Sequence, residues 1–139
     1  MGQQQLLLIV LGVIIVGIAV VVGINLFNAN AEESAKDTLV SEGTNLGAMA
    51  QQYFKKPVAL GGGGNSFVGF GVAPSGGNPG QVLPTNLTNT PAGDWTISTT
   101  GTATTIGLTG VPKLIDYNWR IVVTVTPTTI NSVVTPGRS

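Results

Sequence analysis

Residues 6–24 read LLLIVLGVIIVGIAVVVGI, and every one of them is apolar or Gly. At a helical rise of 1.5 Å per residue such a run spans roughly 28 Å, close to the thickness of a bilayer's hydrocarbon core. It is too long for one strand. Val and Ile lean towards strand, but in an apolar setting a helix wins because it satisfies its own backbone hydrogen bonds. A helix apolar on every side cannot face water, so it sits in a membrane or among other protein. What surrounds it is the functional question.

Downstream the pattern changes without any helix breaker. Ala35, Leu39, Leu46, Ala50 and Tyr53 recur at helical spacing, while Glu32, Glu33, Lys36, Asp37 and Glu42 occupy the other faces. Glu32 and Lys36 form an i,i+4 pair in the favourable order. Lys55 and Lys56 complement the helix C-terminus, and Pro57 with the glycines at 61–64 ends it. The periodicity predicts one helix over 1–56, roughly 80 Å long, with 1–30 as an assembly or membrane segment. Leu39, Leu46, Ala50 and Tyr53 are the face expected to pack on a sheet. Gly43 and Gly47 each cost about 1 kcal/mol against Ala in a helix, so a neighbour is expected to fill the space they leave. Gly12, Gly17 and Gly23 are candidates for local unwinding or close contact.

Residues 57–139 form the second part, a Thr- and Gly-rich β domain. Strands are expected near 66–72, 94–99, 104–108, 118–126 and 128–134, between turn signals. The clearest is 118–126, where Trp119, Ile121, Val123 and Val125 alternate with Arg120, Thr124 and Thr126. Thr100, Gly101 and Thr102 suit a hairpin connection, and Pro127 separates the last two strands. Residues 73–93, holding Pro74, Pro79, Pro84 and Pro91, read as a long surface loop. The apolar content beyond residue 60 is thin for a core, so the sheet is expected to lie on the second half of the helix. The fold class is α+β, one long N-terminal helix with a small C-terminal antiparallel sheet.

Composition narrows function. Six Lys plus Arg balance six Asp plus Glu, so no electrostatic footprint for nucleic acid exists. Cys and His are absent, which removes the commonest metal ligands, the usual general base and the most reactive nucleophile. Asp94 and Asp116 are isolated carboxylates in turn contexts. No catalytic residue, metal or cofactor is expected, and the chain is not expected to be an enzyme. The 61–64 glycines lack the Gly-Lys-Ser/Thr context of a phosphate loop and read as a hinge. Asn86-Leu87-Thr88 is a sequon that makes Asn86 a candidate glycosylation site.

A cleaved secretory signal is one rival for the N-terminus, since Ala29-Asn30-Ala31 fits a small-x-small cleavage pattern. However, no Lys or Arg precedes Lys36, and the apolar core exceeds the usual length of about 7–15 residues. A single-pass anchor carrying a surface β domain with a binding role is the alternative. Its flanks, Gln3 to Gln5 and Asn25, Asn28 and Asn30, carry no charge, so the positive-inside rule assigns no orientation.

A polar tip, an apolar half-helix from residue 6, an amphipathic half-helix ending in the middle fifties and a small β-rich domain together resemble a mature type IV pilin or pilin-like filament subunit. Met1 agrees with that family's usual first residue. Gln5 stands where the family carries Glu, so it lacks the carboxylate of the family's salt bridge to a neighbour's N-terminal amine and keeps only an amide oxygen able to accept a hydrogen bond there. The family's short basic leader does not stand before Met1 here. The resemblance implies a homopolymeric extracellular filament, drawn from the membrane by a secretion and assembly machinery. Its core would be Leu6, Leu7, Leu8, Ile9, Val10, Leu11, Val13, Ile14, Ile15, Val16, Ile18, Val20, Val21, Val22 and Ile24.

Overall fold

The computed structural model describes residues 2–75 and 80–138; Pro79 lies outside the described residues. The fold is α+β: one long N-terminal helix and a four-stranded antiparallel sheet. Helix α1 runs Gly2–Lys55, continuous past Gly12, Gly17 and Gly23. The chain divides into two compact units, Met1–Ser34 and Ala35–Ser139. The first is helix alone.

The second unit holds the rest of α1, a 3-10 turn at Val58–Leu60, a short helix α2 (Thr85–Thr88) and strands β1 (Gly93–Thr99), β2 (Ile106–Pro112), β3 (Trp119–Val125) and β4 (Ile130–Pro136). The strands lie in sequence order, each antiparallel to the next. On β3 the buried positions are Trp119, Ile121, Val123 and Val125, so one face of the sheet enters the core. Leu39, Leu46, Ala50 and Tyr53 of α1 lie in that same core, joined by Phe67, Phe70, Leu83, Ile106 and Leu108.

Glycine sets how closely the helix approaches the sheet. A Cβ on Gly43 would lie 2.5 Å from Trp95 Cη2 and 2.7 Å from Val123 Cγ2; one on Gly47 would lie 2.9 Å from Ile130 Cγ2. The space these residues leave is filled by side chains of β1, β3 and β4, which offsets their helix propensity cost. Gly110, opposite Trp95 on β2, likewise leaves room for the indole.

The 66–72 segment is not a strand. Gly69 and Gly71 have φ of 92° and 79°, which turns the chain and sends both Phe67 and Phe70 into the core. The loop after it contributes an isolated bridge from Phe70 to Gln81, buried Leu83, and α2. β2 runs four residues beyond its expected end because it is an inner strand, paired on both sides and so able to tolerate Gly107 and Gly110.

The glycines at 61–64 form a capping loop instead of a hinge. Gly63 N–H donates to Tyr53 O at 2.8 Å, Gly64 N–H to Lys56 O at 3.0 Å and Asn65 N–H to Phe54 O at 2.7 Å, satisfying carbonyls that the helix end leaves open. Gly62 and Gly63 are buried, and a side chain on either would strike main-chain oxygen, that of Lys56 or Ser66.

The sheet is also an internal duplication. Offset by 24 residues, 94–112 matches 118–136 at Trp95/Trp119, Ile97/Ile121, Thr100/Thr124, Thr102/Thr126, Thr104/Thr128, Thr105/Thr129, Ile106/Ile130 and Pro112/Pro136. Both hairpin loops close the same way. Thr102 N–H donates to Thr105 O, and Thr105 N–H donates to Thr102 Oγ1; Thr126 and Thr129 repeat both bonds. The copies differ in β1, where a register shift between Ile97 and Thr99 has no counterpart in β3.

Because α1 supplies one wall of the core, a fragment spanning 35–139 is expected to unfold cooperatively in urea, whereas one spanning 57–139 is expected to show no cooperative transition. Circular dichroism of the two fragments checks this. A cooperative transition in the shorter one would refute the assignment.

Candidate assembly surface

In the first unit every large apolar side chain from Leu6 to Ile24 is exposed, between 53% and 69%. The fifteen residues expected to form a filament core are thus on the surface of the single chain and cover all faces of the helix. A Cβ on Gly12, Gly17 or Gly23 would meet nothing within 4 Å, so no contact among the described residues accounts for these glycines. Leu26 and Phe27, at 61% and 78% exposure, extend the apolar surface past the run. They fall outside the run expected to form the core because Asn25 interrupts it; their large side chains directly after Asn25 are the available signal. The helix is long and apolar enough to cross a membrane, with a mean hydropathy of 3.3 over its most apolar window.

The second unit carries the polar groups that tie helix to sheet. Glu42 Oε2 accepts from Trp95 Nε1–H at 3.1 Å and from the Thr90 hydroxyl at 2.9 Å. Gly93 N–H donates to the same hydroxyl at 3.1 Å. Glu42 therefore links α1 to the start of β1 through two donors, one on a buried indole. Tyr53 donates its hydroxyl to Val68 O at 2.7 Å, and burial of the phenol raises its pKa above the ordinary 10.0. Lys113 pairs with Asp94 at 2.6 Å and with Asn89 Oδ1 at 2.7 Å, a surface contact of small energetic weight. Arg120 donates to Gly137 O, and Arg138 donates to Leu114 O and Tyr117 O.

Asn86 lies exposed on α2. Among the described residues, no group of three or more His, Cys, Asp or Glu is placed to hold a metal ion.

No protein-family model, no curated protein and no solved structure matches this chain.

Burial of Tyr53 sets an alkaline limit on stability. Its folded pKa lies above the unfolded value, so its contribution is fully present below pH 10.0 and is lost as pH rises through the folded pKa. Urea midpoints of the wild type are expected to fall above that pH. Tyr53→Phe is expected to lose about 1 kcal/mol at neutral pH, with the hydrogen bond to Val68, and to flatten this alkaline decline. Glu42→Ala is expected to cost about 1.5–3 kcal/mol at neutral pH, since it strands the Trp95 donor. Equilibrium urea titrations measure all three.

Proposed function

We propose that the chain is a structural subunit of a helical extracellular filament, polymerising through a core of its own N-terminal apolar helices, with the β domains forming the outer layer. The observation that carries this reading is the apolar surface of residues 6–24 and 26–27, which covers the helix on all sides and is exposed throughout. Support also comes from the resemblance in half-helix layout to pilin-like subunits and from the absence of charge before Glu32.

The energetics suit a two-stage life. Fifteen large aliphatic side chains at roughly 1.5–3 kcal/mol each represent on the order of 20 to 45 kcal/mol of burial relative to water. A bilayer supplies much the same, so transfer from membrane to helix bundle is near neutral in hydrophobic terms. Packing contacts and an assembly machine tip the balance. The subunit waits in the cytoplasmic or inner membrane and is extracted into the growing polymer. Head-to-tail contacts under helical symmetry keep the assembly open. The role is structural, with no catalytic step.

The second reading is a single-pass anchor that displays the β domain at the cell surface. It draws on the same helix, which has the length and hydropathy of a membrane span.

Electron microscopy of native preparations separates the two. Filaments in the wild type, and none in Val16→Asp, are expected, because an aspartate among packed apolar helices is an unpaired buried charge. Monodisperse detergent-bound monomers with no filaments in any wild-type preparation would reject the filament and favour the anchor.

A further inference from the structure

The two edges of the sheet differ in cover. Beside β1, Asn89 bridges to Asp94, Thr90 N–H donates to Gly93 O at 2.9 Å, and Gly71 lies against Ile97. The segment 81–90 therefore covers the start of that edge, and 66–72 packs on the Ile97 side chain beside it. Beside β4, no such cover exists among the described residues. The bonds from Thr126 N–H to Thr129 O and from Gly137 N–H to Asn118 O fix the alternation along the β3–β4 ladder. By that alternation Asn131, Val133 and Thr135 bond to β3, while the main-chain groups of Ile130, Ser132 and Val134 point away from the sheet.

Natural monomers blunt such edges with Lys, an interior Pro, a bulge or a covering segment. β4 has none of these: its register with β3 is unbroken over seven pairs, and residues 130–135 contain neither Lys nor Pro. β2, the counterpart of β4 in the duplicated hairpin, has its equivalent edge paired with β3. Val133 and Val134 are 51% and 43% exposed.

We propose that in the filament the free edge of β4 is covered by a second copy of this chain, specifically by the flank that 66–72 and 81–90 form beside β1 in that copy. The inference rests on the filament reading and adds the contact that holds its outer layer. Both surfaces are uncharged, since residues 57–93 and 121–137 contain no Asp, Glu, Lys or Arg, so their contact desolvates no ion. Both present exposed valines, Val68, Val72 and Val82 on the flank against Val133 and Val134 on β4. The two surfaces are made of different residues, β4 at one end of the strand order and the flank that pairs at Asp94 with β1 at the other, so the contact is heterologous and leaves one edge and one flank open for the next copies. A β4-to-β4 contact would be two-fold and would close after two chains.

The chain has no cysteine, which makes cross-linking a clean test. In the full-length double variant Val82→Cys with Val134→Cys, mild oxidation of assembled filaments is expected to give a ladder of covalent oligomers on a non-reducing gel. Each single variant, and detergent-dissociated double variant, is expected to give none. Within one chain, β1 and β4 are themselves three strand spacings apart, roughly 14 Å, beyond the roughly 7 Å that a disulfide tolerates between Cα atoms. Filaments without a ladder, or a discrete dimer from Val134→Cys alone, would overturn the proposal and leave the filament reading intact. Absence of filaments in the wild type would overturn both. Val134→Lys gives an independent measure, with polymer yield at fixed protein concentration expected to fall about tenfold; an unchanged yield would overturn the proposal.

Discussion

Fifteen large aliphatic side chains on all faces of a helix cannot remain in water. The segment of α1 that carries them has no packing partner in its own compact unit. The solvent for those side chains has to come from outside the chain, as lipid or as more helix. A membrane answers the constraint for a single subunit and a bundle of copies answers it for a polymer. Because the two are nearly equal in hydrophobic energy, passage between them is thermodynamically undemanding.

The second half of the same helix solves a different problem. The sheet buries one face only, and its strands alone provide too little apolar surface for a stable core. α1 supplies the missing wall through Leu39, Leu46, Ala50 and Tyr53, and Gly43 and Gly47 let it come close enough for Trp95, Val123 and Ile130 to fill the gap. Glu42 then ties the helix to β1 through Trp95 and Thr90.

Much of this was legible in the residues. The 3.6-residue period of Leu39, Leu46, Ala50 and Tyr53 and the Pro57 stop place the helix end within a residue of its observed position at Lys55. The strict alternation from Trp119 to Val125 likewise identifies β3. What the pattern concealed has physical causes. Residues 66–72 look strand-like in composition, yet Gly69 and Gly71 take positive φ, a freedom that composition does not reveal. The glycines at 61–64 suggest looseness, whereas their amides are fixed on the carbonyls of the helix end. β2 continues past the expected 104–108 to Pro112, because in an inner strand the side chain that Gly110 lacks makes room for Trp95. The 24-residue duplication stands in the sequence as Trp-x-Ile followed by Thr-x-Thr-Thr-Ile, but its matches are scattered and become plain as a repeat only in the two hairpins. The uncovered edge of β4 depends on where other segments fall, which a local pattern does not encode.

The central claim is that residues 6–24 are surrounded by copies of themselves once the protein leaves the membrane. Its most direct measurement is the reaction of a water-soluble maleimide with Ile14→Cys in detergent-free, lipid-extracted assembled material, since the chain has no competing thiol. The account predicts protection in that material and labelling after dissociation. Rapid labelling in the assembled state, or protection that disappears whenever lipid is removed, would contradict it.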